Sequence, residues 1–91
     1  MNKIAIIGLG LIGGSIGLAL QQHKSQGFEL FGYDDDVEVG RRAAKRGAVD
    51  KAAWHLRDAI EGADLIIVAV PVLGIREVLE NIAGMVQTGC V

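Results

Sequence analysis

The sequence predicts an α/β protein with a doubly wound parallel sheet, and three observations support that class. Apolar runs of strand length alternate with segments of helical spacing, which is the order of a parallel sheet with right-handed crossovers. Of the 91 residues, 51% are hydrophobic but only 4% are aromatic, so the core must be aliphatic. The 13 glycines are about twice the share of an average chain. We expect one short domain in which glycines occupy special backbone positions.

The first strand and the first helix follow directly from the start of the chain. Residues Lys3–Ile7 form a short apolar run, typical of a strand that is buried on both faces. From Leu11 to about Lys24 the spacing is helical, and residues 25–27 end that helix. One helical face carries apolar residues, and an adjoining row carries glycines. The face consists of Ile12, Ile16, Ala19 and Leu20, and the row of Gly13 and Gly17.

A second strand and a second helix are predicted between residues 28 and 46. Phe28 to Tyr33 is the strand, and it ends at three consecutive aspartates, residues 34–36. Val37 to Arg46 is the helix, and Gly47 is its expected C-terminal cap. The basic residues of this helix are expected on a solvated face: Arg41, Arg42, Lys45 and Arg46.

The second half of the chain continues the same alternation. Residues 48–54 contain a weak third strand, and residues 56–61 form a short helix. Residues 65–70 give the strongest strand prediction, which ends at a proline. Helical spacing then recurs at Ile75, Val78, Leu79 and Ile82. Residues 89–91 open a further strand, so we expect the chain to be part of a larger doubly wound domain.

Residues 8–13 (GLGLIG) have the pattern G-x-G-x-x-G in the context that a dinucleotide-binding loop requires. The loop follows a predicted strand and opens a predicted helix. Asp34 closes the next strand 21 positions after Gly13 (34 − 13), and the expected spacing is about 20. The G-K-[ST] ending of a P-loop nucleotide hydrolase is missing. The alternative is a glycine-rich turn that binds nothing.

Each position of the loop has a predicted physical task. Gly8 permits the tight turn between strand and helix, and Gly13 lets the helix pack closely on the strand. Gly10 has no side chain, so a dinucleotide pyrophosphate can approach the backbone. The N–H groups near the helix start face that pyrophosphate at the positive end of the helix dipole. The predicted cofactor-binding residues of the loop are Gly8, Leu9, Gly10, Leu11, Ile12 and Gly13.

Asp34 predicts which dinucleotide is bound. Its carboxylate would accept hydrogen bonds from the adenosine ribose hydroxyls. A 2′-phosphate would instead face the like charges of Asp34, Asp35 and Asp36. The sequence therefore predicts NAD as the cofactor, with Asp34 and Asp35 among its contacts. In one alternative, Arg41 and Arg42 reach back to hold the 2′-phosphate of NADP; in another, Asp35 and Asp36 form only a turn and a helix N-cap.

The end of the fourth strand is the other predicted border of the site. In doubly wound folds the ligand lies beyond the carboxyl ends of the strands, so Ala69, Val70 and Pro71 are expected to border the cofactor. The alternative is that Pro71 only terminates the strand. No residue pattern suggests catalysis or metal binding, and we expect His23 and His55 to be solvated surface residues.

Charge and cysteine content indicate which partners and which cellular compartment to expect. The net charge of −2 does not indicate a nucleic-acid or membrane partner, which would need a basic excess. Cys90 is the only cysteine, which excludes an intrachain disulfide and favours a reducing, cytoplasmic setting. Residues 4–20 are uncharged but include five glycines. We interpret this stretch as strand, turn and helix rather than a signal peptide or a membrane span.

The residues around the loop resemble the opening of the prephenate dehydrogenase family, which includes arogenate-using enzymes. The match runs through residues 8–15 (GLGLIGGS), 32–34 (GYD), 47–50 (GAVD) and 63–72 (ADLIIVAVPV). The resemblance implies NAD-dependent oxidative decarboxylation of prephenate to 4-hydroxyphenylpyruvate, in tyrosine biosynthesis. It also implies that the catalytic residues and a helical C-terminal domain, which forms a homodimer and part of the substrate pocket, lie beyond Val91.

With this resemblance, we expect the chain to be the N-terminal part of a Rossmann-type domain. It would bind NAD and have no dehydrogenase activity by itself. The substrate of the whole protein stays open between prephenate and arogenate. The alternatives are another Rossmann oxidoreductase, such as a 3-hydroxyacid dehydrogenase, and a non-catalytic NAD-sensing module.

Overall fold

A computed structural model of the chain describes residues 2–23, 27–86 and 89–91, and strands and helices alternate throughout. The strands are β1 (Lys3–Ile7), β2 (Glu29–Tyr33), β3 (Lys51–Ala52) and β4 (Leu65–Val68). The helices are α1 (Leu11–Gln21), α2 (Val37–Lys45), α3 (Leu56–Ile60) and α4 (Val72–Ala83). The eight elements predicted between the first strand and the helix after the fourth strand are therefore present.

The four strands form one parallel sheet in the order β3-β2-β1-β4. Ile4 of β1 is in register with Leu30 of β2 on one side and with Leu65 of β4 on the other. The strand order reverses at β1, so the switch point of the sheet lies between the carboxyl ends of β1 and β4. Ligands of doubly wound folds bind at such a point. The predicted fold class, a doubly wound parallel sheet, is confirmed.

The core consists of two aliphatic clusters, one on each face of the sheet. Successive side chains of β1 point to opposite faces, so this strand contributes to both clusters and is buried on both sides. The first cluster lies beneath α1 and α2: Ile4, Ile6, Leu9, Phe28, Leu30, Ala43, Ala48 and Val49. The second cluster lies beneath α3 and α4: Ala5, Ile7, Ala59, Ile60, Ala63 and Ile82.

α1 packs on the core through its glycines, together with the half-buried side chains of Ile16, Leu18 and Leu20. The buried residues of α1 are Gly13, Gly14 and Gly17. Of the four apolar residues that share one helical face, Ile12 and Ala19 are exposed, and Ile16 and Leu20 are half-buried. A Cβ on Gly17 would overlap the carbonyl oxygen of Ala48. The backbone of α1 therefore lies directly on the chain that follows α2.

The boundaries of the elements differ from the predictions, most strongly at β3. Only Lys51 and Ala52 of residues 48–54 form a strand, flanked by backbone hydrogen bonds from Asp50 to Leu30 and from Ala53 to Gly32. β4 ends at Val68, two residues early. α1 ends at Gln21, and residues 24–26, where its end was predicted, lie outside the described residues.

The last described residue contacts the free edge of β4. The N–H of Val91 donates to the carbonyl of Asp64 at 2.9 Å, and the Val91 carbonyl accepts from the N–H of Ile66. In these two hydrogen bonds one residue pairs with two residues of β4 that are two positions apart, which is the pattern of parallel strands. Residues 89–91 are nevertheless not assigned as a strand. No helix in the described residues is long and apolar enough to cross a membrane.

Candidate dinucleotide-binding site

The first glycine of the loop is required by the chain itself. Gly8 has a φ angle of +98°, in the left-handed region that residues with side chains rarely adopt. Its N–H donates to the carbonyl of Tyr33 at 2.8 Å. A Cβ on Gly8 would lie 2.6 Å from the carbonyl oxygen of Ala69. Gly8 therefore lets the loop turn sharply while it lies against the ends of β2 and β4.

The third glycine of the loop is required by the packing of α1. A Cβ on Gly13 would overlap the carbonyl oxygen of Gly8, so the helix start lies on the end of β1. The first intrahelical hydrogen bond runs from the N–H of Gly14 to the carbonyl of Gly10 at 2.8 Å. The N–H groups of residues 11–13 precede that bond and have no acceptor within the helix. The first turn of α1 carries no acidic side chain, so the positive end of the helix is not neutralised there.

The middle glycine differs from the other two because no contact in the described residues requires it. Gly10 is the N-cap of α1 with φ −70° and ψ −155°, a conformation open to other residues. It is exposed, and a Cβ built on it would meet no described atom within 4 Å. A side chain here would project into open space beside the N–H groups that begin α1. Neither packing nor backbone angle in the described part of the chain accounts for a glycine at this position.

Asp34 connects the end of β2 to the glycine loop, a role that the sequence interpretation missed. Its Oδ2 accepts the N–H of Leu9 at 2.8 Å, and its Oδ1 accepts the N–H of Asp36 at 2.9 Å. The second contact is a local aspartate turn, which the Asp34-x-Asp36 spacing could have indicated. The hydrogen bond from Leu9 to Asp34 joins residues 25 positions apart, and it depends on the pairing of β1 with β2.

The next two aspartates have different environments. Asp36 is the N-cap of α2, and its carboxylate accepts the N–H of Glu38 at 3.0 Å. Asp36 thus caps the helix, as one of the alternatives predicted. Asp35 is exposed to solvent on the same turn. Its carboxylate adds negative charge next to Asp34.

A cavity of about 240 Å³ opens beside Asp34, between α2 and the end of β3. Arg41 and Trp54 both line it. The guanidinium of Arg41 lies 3.2 Å from the carboxylate of Glu38 on the same helix. The Trp54 side chain is 76% exposed. The sequence interpretation assigned Trp54 no role, because it is 20 positions from Asp34 in the chain (54 − 34) and comes near only through the β2–β3 pairing.

The predicted residues after the fourth strand lie at the same edge of the sheet. The N–H of Ala69 donates to the carbonyl of Ile7 at 2.8 Å, which extends the β1–β4 ladder beyond the strand. Ala69 and Val70 are half-buried, and Pro71 is exposed. Pro71 is also the N-cap of α4, with φ −54°. Proline both ends the ladder and begins the helix here, because its ring holds φ near the helical value.

Neither of the two histidines lines the cavity beside Asp34. His23 and His55 are both exposed, and His55 precedes α3 without capping it through its side chain. Among the described residues, no group of three histidine, cysteine, aspartate or glutamate side chains is placed to hold a metal ion.

The sheet order, the loop geometry and the acidic residue after β2 define a class of protein, the doubly wound nucleotide-binding domain. Residues 16–91 match the family model described as prephenate dehydrogenase, nucleotide-binding domain. The chain belongs to this family. Because the match begins after Gly13, the family assignment and the geometry of the loop are independent observations.

Individual relatives agree with this family. The chain is 46% identical over 83 residues to a prephenate dehydrogenase of Lactococcus lactis, covering 91% of this chain and 23% of that protein. A solved arogenate dehydrogenase of Synechocystis matches 98% of this chain and 31% of its own, with a TM-score of 0.87 and 28% identity. A prephenate dehydrogenase of Aquifex aeolicus was solved with hydroxyphenyl propionate and NAD+. The match to it covers 100% of this chain and 32% of the Aquifex chain. Its TM-score is also 0.87 at 23% identity, which shows the shared fold. The chain thus spans less than a quarter of the curated relative's length and about a third of the solved chains.

Proposed function

We propose that the chain binds NAD at the carboxyl edge of its sheet, with the pyrophosphate at the start of α1. Gly10 is the observation that carries this proposal. Packing and backbone angle account for Gly8 and Gly13 but not for Gly10, which leaves the backbone open beside the first N–H groups of the helix. Those N–H groups and the helix dipole stabilise an anion. Leu9, Leu11 and Ile12 would border the same phosphates.

We infer NAD rather than NADP from the charges around Asp34. Each oxygen of this carboxylate accepts one N–H and retains a lone pair for a ribose hydroxyl. A 2′-phosphate would meet this carboxylate and the exposed Asp35 as like charges. Arg41, the basic residue in the same cavity, is already paired with Glu38, so its charge is partly neutralised.

For the whole protein, we propose the NAD-dependent oxidation and decarboxylation of prephenate or arogenate. Bound NAD supplies a hydride acceptor, and loss of carbon dioxide makes the substrate ring aromatic, which gives 4-hydroxyphenylpyruvate from prephenate. The Lactococcus relative is named for prephenate and the Synechocystis structure for arogenate. The part of this chain in the reaction is to hold the dinucleotide, with Ala69, Val70 and Pro71 at the border of its nicotinamide half.

We further propose that the substrate-binding and catalytic groups, and the contacts of a homodimer, belong to the parts of the family's longer chains that this chain does not span. The chain alone is then inactive, and prephenate mixed with it and NAD should yield no NADH absorbance. A cytoplasmic setting is proposed with this biosynthetic role. Formation of NADH by the chain alone would contradict the proposal that the catalytic groups lie outside it.

The decisive experiment measures NAD and NADP affinities by titration calorimetry for the parent chain and for Gly10→Val. A valine at this position meets no described atom, so the melting temperature should fall only by the modest cost of replacing an N-cap glycine with valine. Its branched side chain would occupy the space of the pyrophosphate, so NAD affinity should fall at least about a hundredfold, or about 3 kcal/mol. The parent should bind NAD more tightly than NADP.

Gly84→Val is the matched control, because Gly84 also has a negative φ of −84° and no described atom within 4 Å of a built Cβ. It lies at the end of α4, far along the helix from the loop. This variant should keep both its melting temperature and its NAD affinity. Unchanged NAD affinity in Gly10→Val would sink the loop assignment, and equal affinities for NAD and NADP in the parent would contradict the argument from charge.

A further inference from the structure

We propose that Asp34 is a positioning residue for the pyrophosphate, because its carboxylate holds the glycine loop in place through Leu9. The inference rests on the proposed binding of NAD and adds how the loop is kept ready for it. We call the hydrogen bond between the Leu9 N–H and the Asp34 carboxylate the clasp. The glycine motif assigns Asp34 to the ribose hydroxyls, whereas the clasp concerns a different part of the dinucleotide.

The segment between β1 and α1 has little conformational preference of its own. Gly8 and Gly10 lie on either side of Leu9, and glycine loses more conformational freedom on folding than any other residue. A Cβ on Gly13 would overlap the carbonyl oxygen of Gly8, so packing limits how closely α1 can approach β1. That contact does not stop the loop from moving outward, so a tether must do so.

Leu9 is the one residue between these two glycines, and the chain holds it in two ways. Its side chain is 4% exposed and belongs to the first cluster. A Cβ built on Gly32 would lie 2.7 Å from a methyl carbon of Leu9, so the leucine lies directly on β2. Its N–H donates to Oδ2 of Asp34 at 2.8 Å. The side chain and the backbone of Leu9 are therefore both fixed to β2 and to the turn after it.

The clasp has a charged acceptor whose orientation is itself fixed. Asp34 is half-buried, and hydrogen bonds to an ionised group are roughly twice as strong as neutral ones. The other carboxylate oxygen, Oδ1, accepts the N–H of Asp36 at 2.9 Å, and Asp36 is the N-cap of α2. The carboxylate thus ties the loop to the start of α2 as well as to the end of β2.

The clasp lies next to the N–H groups that would donate to the phosphates. Gly10 is the N-cap of α1 and Leu11 is its first residue, so the first N–H without an acceptor in the helix lies two residues after Leu9. When only a fraction of the molecules has the binding conformation, the apparent affinity falls by that fraction. Asp34 therefore favours a bound anion through the position of the loop, although its charge alone opposes an anion.

The sign of the effect on a bare anion tests the clasp. Inorganic pyrophosphate has no ribose, so it reports on the loop without the hydrogen bonds that Asp34 would accept from a sugar. Removal of a nearby negative charge should by itself tighten the binding of an anion. Asp34→Ala should instead weaken pyrophosphate binding about tenfold, as expected if the loop then has the binding conformation about a tenth of the time. NMR titration of the backbone amide signals measures the affinity.

Two substitutions on the acidic turn separate charge from tethering. Asp35→Ala removes a charge from the same turn but leaves the clasp, so it should tighten pyrophosphate binding about twofold. Asp34→Asn removes the charge but keeps one acceptor oxygen, so its affinity should lie between those of Asp34→Ala and the parent. If Asp34→Ala does not fold, the same comparison of sign is made between Asp34→Asn and Asp35→Ala.

Asp64→Ala is the matched control for a general loss of stability. The Asp64 carboxylate also accepts two backbone N–H groups, from Asn2 and Lys3, but at the amino ends of the strands. Its removal should leave the affinity for pyrophosphate unchanged.

Amide hydrogen exchange gives a second measurement, on the chain without ligand. The Leu9 N–H should exchange about tenfold faster in Asp34→Ala than in the parent, the same factor as the loss of affinity. In Asp35→Ala it should exchange at the rate of the parent.

The outcomes separate this inference from the proposed function. If Asp34→Ala binds pyrophosphate as tightly as the parent, or more tightly, the clasp does not position the loop, while NAD binding stands. An unchanged exchange rate of the Leu9 N–H in Asp34→Ala would overturn the inference as well. So would a parent that binds NAD but no pyrophosphate, because the loop would then not hold the anion by itself. If the parent binds no NAD, the proposed function fails and this inference fails with it.

Discussion

The two faces of the sheet hold their helices in different ways. On the first-cluster face, α1 meets its neighbours through backbone as well as through half-buried side chains. Built Cβ atoms on Gly13 and Gly17 would overlap the carbonyl oxygens of Gly8 and Ala48. On the second-cluster face, α4 is held by side chains, chiefly Ile82, which is 5% exposed. Gly74 of α4 has only an ordinary contact of 3.8 Å to a side chain.

The difference concerns how much each helix can move. Side chains change rotamer to absorb a small displacement of a helix, but two backbones in contact have no such freedom. The start of α1 is thus held rigidly against the end of β1, with its first N–H groups in a constant position. Sites that bind a charged group profit from donors that are already in place. α4, on the opposite face, is packed through side chains.

Among the variants that test this difference between the two faces, Gly17→Ala is expected to have the largest effect on stability. The added methyl group would overlap the Ala48 carbonyl, and the helix or the chain after α2 must shift. We expect the free energy of unfolding to fall by about 3 kcal/mol, the upper end of the usual cost of overpacking, as measured by urea unfolding.

The matched control for that prediction is Gly14→Ala on the same helix. Gly14 is also buried, but a Cβ there would meet only the Leu9 carbonyl oxygen at 3.6 Å, an ordinary contact. Alanine also favours helix over glycine by about 1 kcal/mol, so Gly14→Ala should be neutral or slightly stabilising. Equal losses in the two variants would show that backbone contact is not what distinguishes Gly17.

A smaller effect is expected from truncating the side chain that holds α4. Ile82→Ala removes buried methyl and methylene groups from the second cluster and should cost about 2 kcal/mol of unfolding free energy, the lower end of the range for such changes. Leu79→Ala, on the same helix but 51% exposed, should change stability by about 0.5 kcal/mol or less. If Ile82→Ala were as harmless as Leu79→Ala, α4 would not be held by this side chain.

The smallest effect concerns the polar contact that joins β4 to β1 at the amino ends of the strands. The Asp64 carboxylate accepts the N–H groups of Asn2 and Lys3 at 2.7 and 3.0 Å. These hydrogen bonds favour the charged form and lower the pKa of Asp64 below its ordinary 3.8, against a weaker opposing effect of burial.

Because the pKa is lower in the folded chain than in the unfolded one, the contribution of Asp64 is fully present above pH 3.8 and is lost as the pH falls through the folded pKa. The melting temperature of Asp64→Asn should therefore lie slightly below that of the parent at pH 6, and the gap should close below pH 3.8. A gap that stays constant across this range would show that the carboxylate charge is not involved.

The elements with a strong local pattern were predictable from the sequence, and those that depend on tertiary contact were not. β1, β4 and the glycine loop follow from apolar runs and from a motif, and they lie where the sequence predicts, although β4 ends two residues early. The hydrophobic spacing of α1 does not show which of its residues are buried, because its buried residues are glycines. β3 is shorter than predicted because its strand pairs with β2 at only two residues.

The site shows the same division. The turn at Gly8 and the close packing at Gly13 follow from a motif whose physical demands are local. The hydrogen bond from Leu9 to Asp34 and the approach of Trp54 to Asp34 depend on which strands are neighbours. No spacing along the chain encodes the distance between groups that a sheet brings together, so these contacts became visible only with the fold.

Backbone contact at α1 also has a consequence for genetics. A side chain added at Gly32 would collide with the side chains of Leu9 and Val49, at 2.7 and 2.9 Å, so a second mutation that shortens either neighbour can make room for it. A side chain added at Gly17 would collide with a carbonyl oxygen, which every amino acid at position 48 possesses. Selection for second-site suppressors should therefore recover Leu9 or Val49 substitutions for Gly32→Ala, and no substitution at Ala48 for Gly17→Ala.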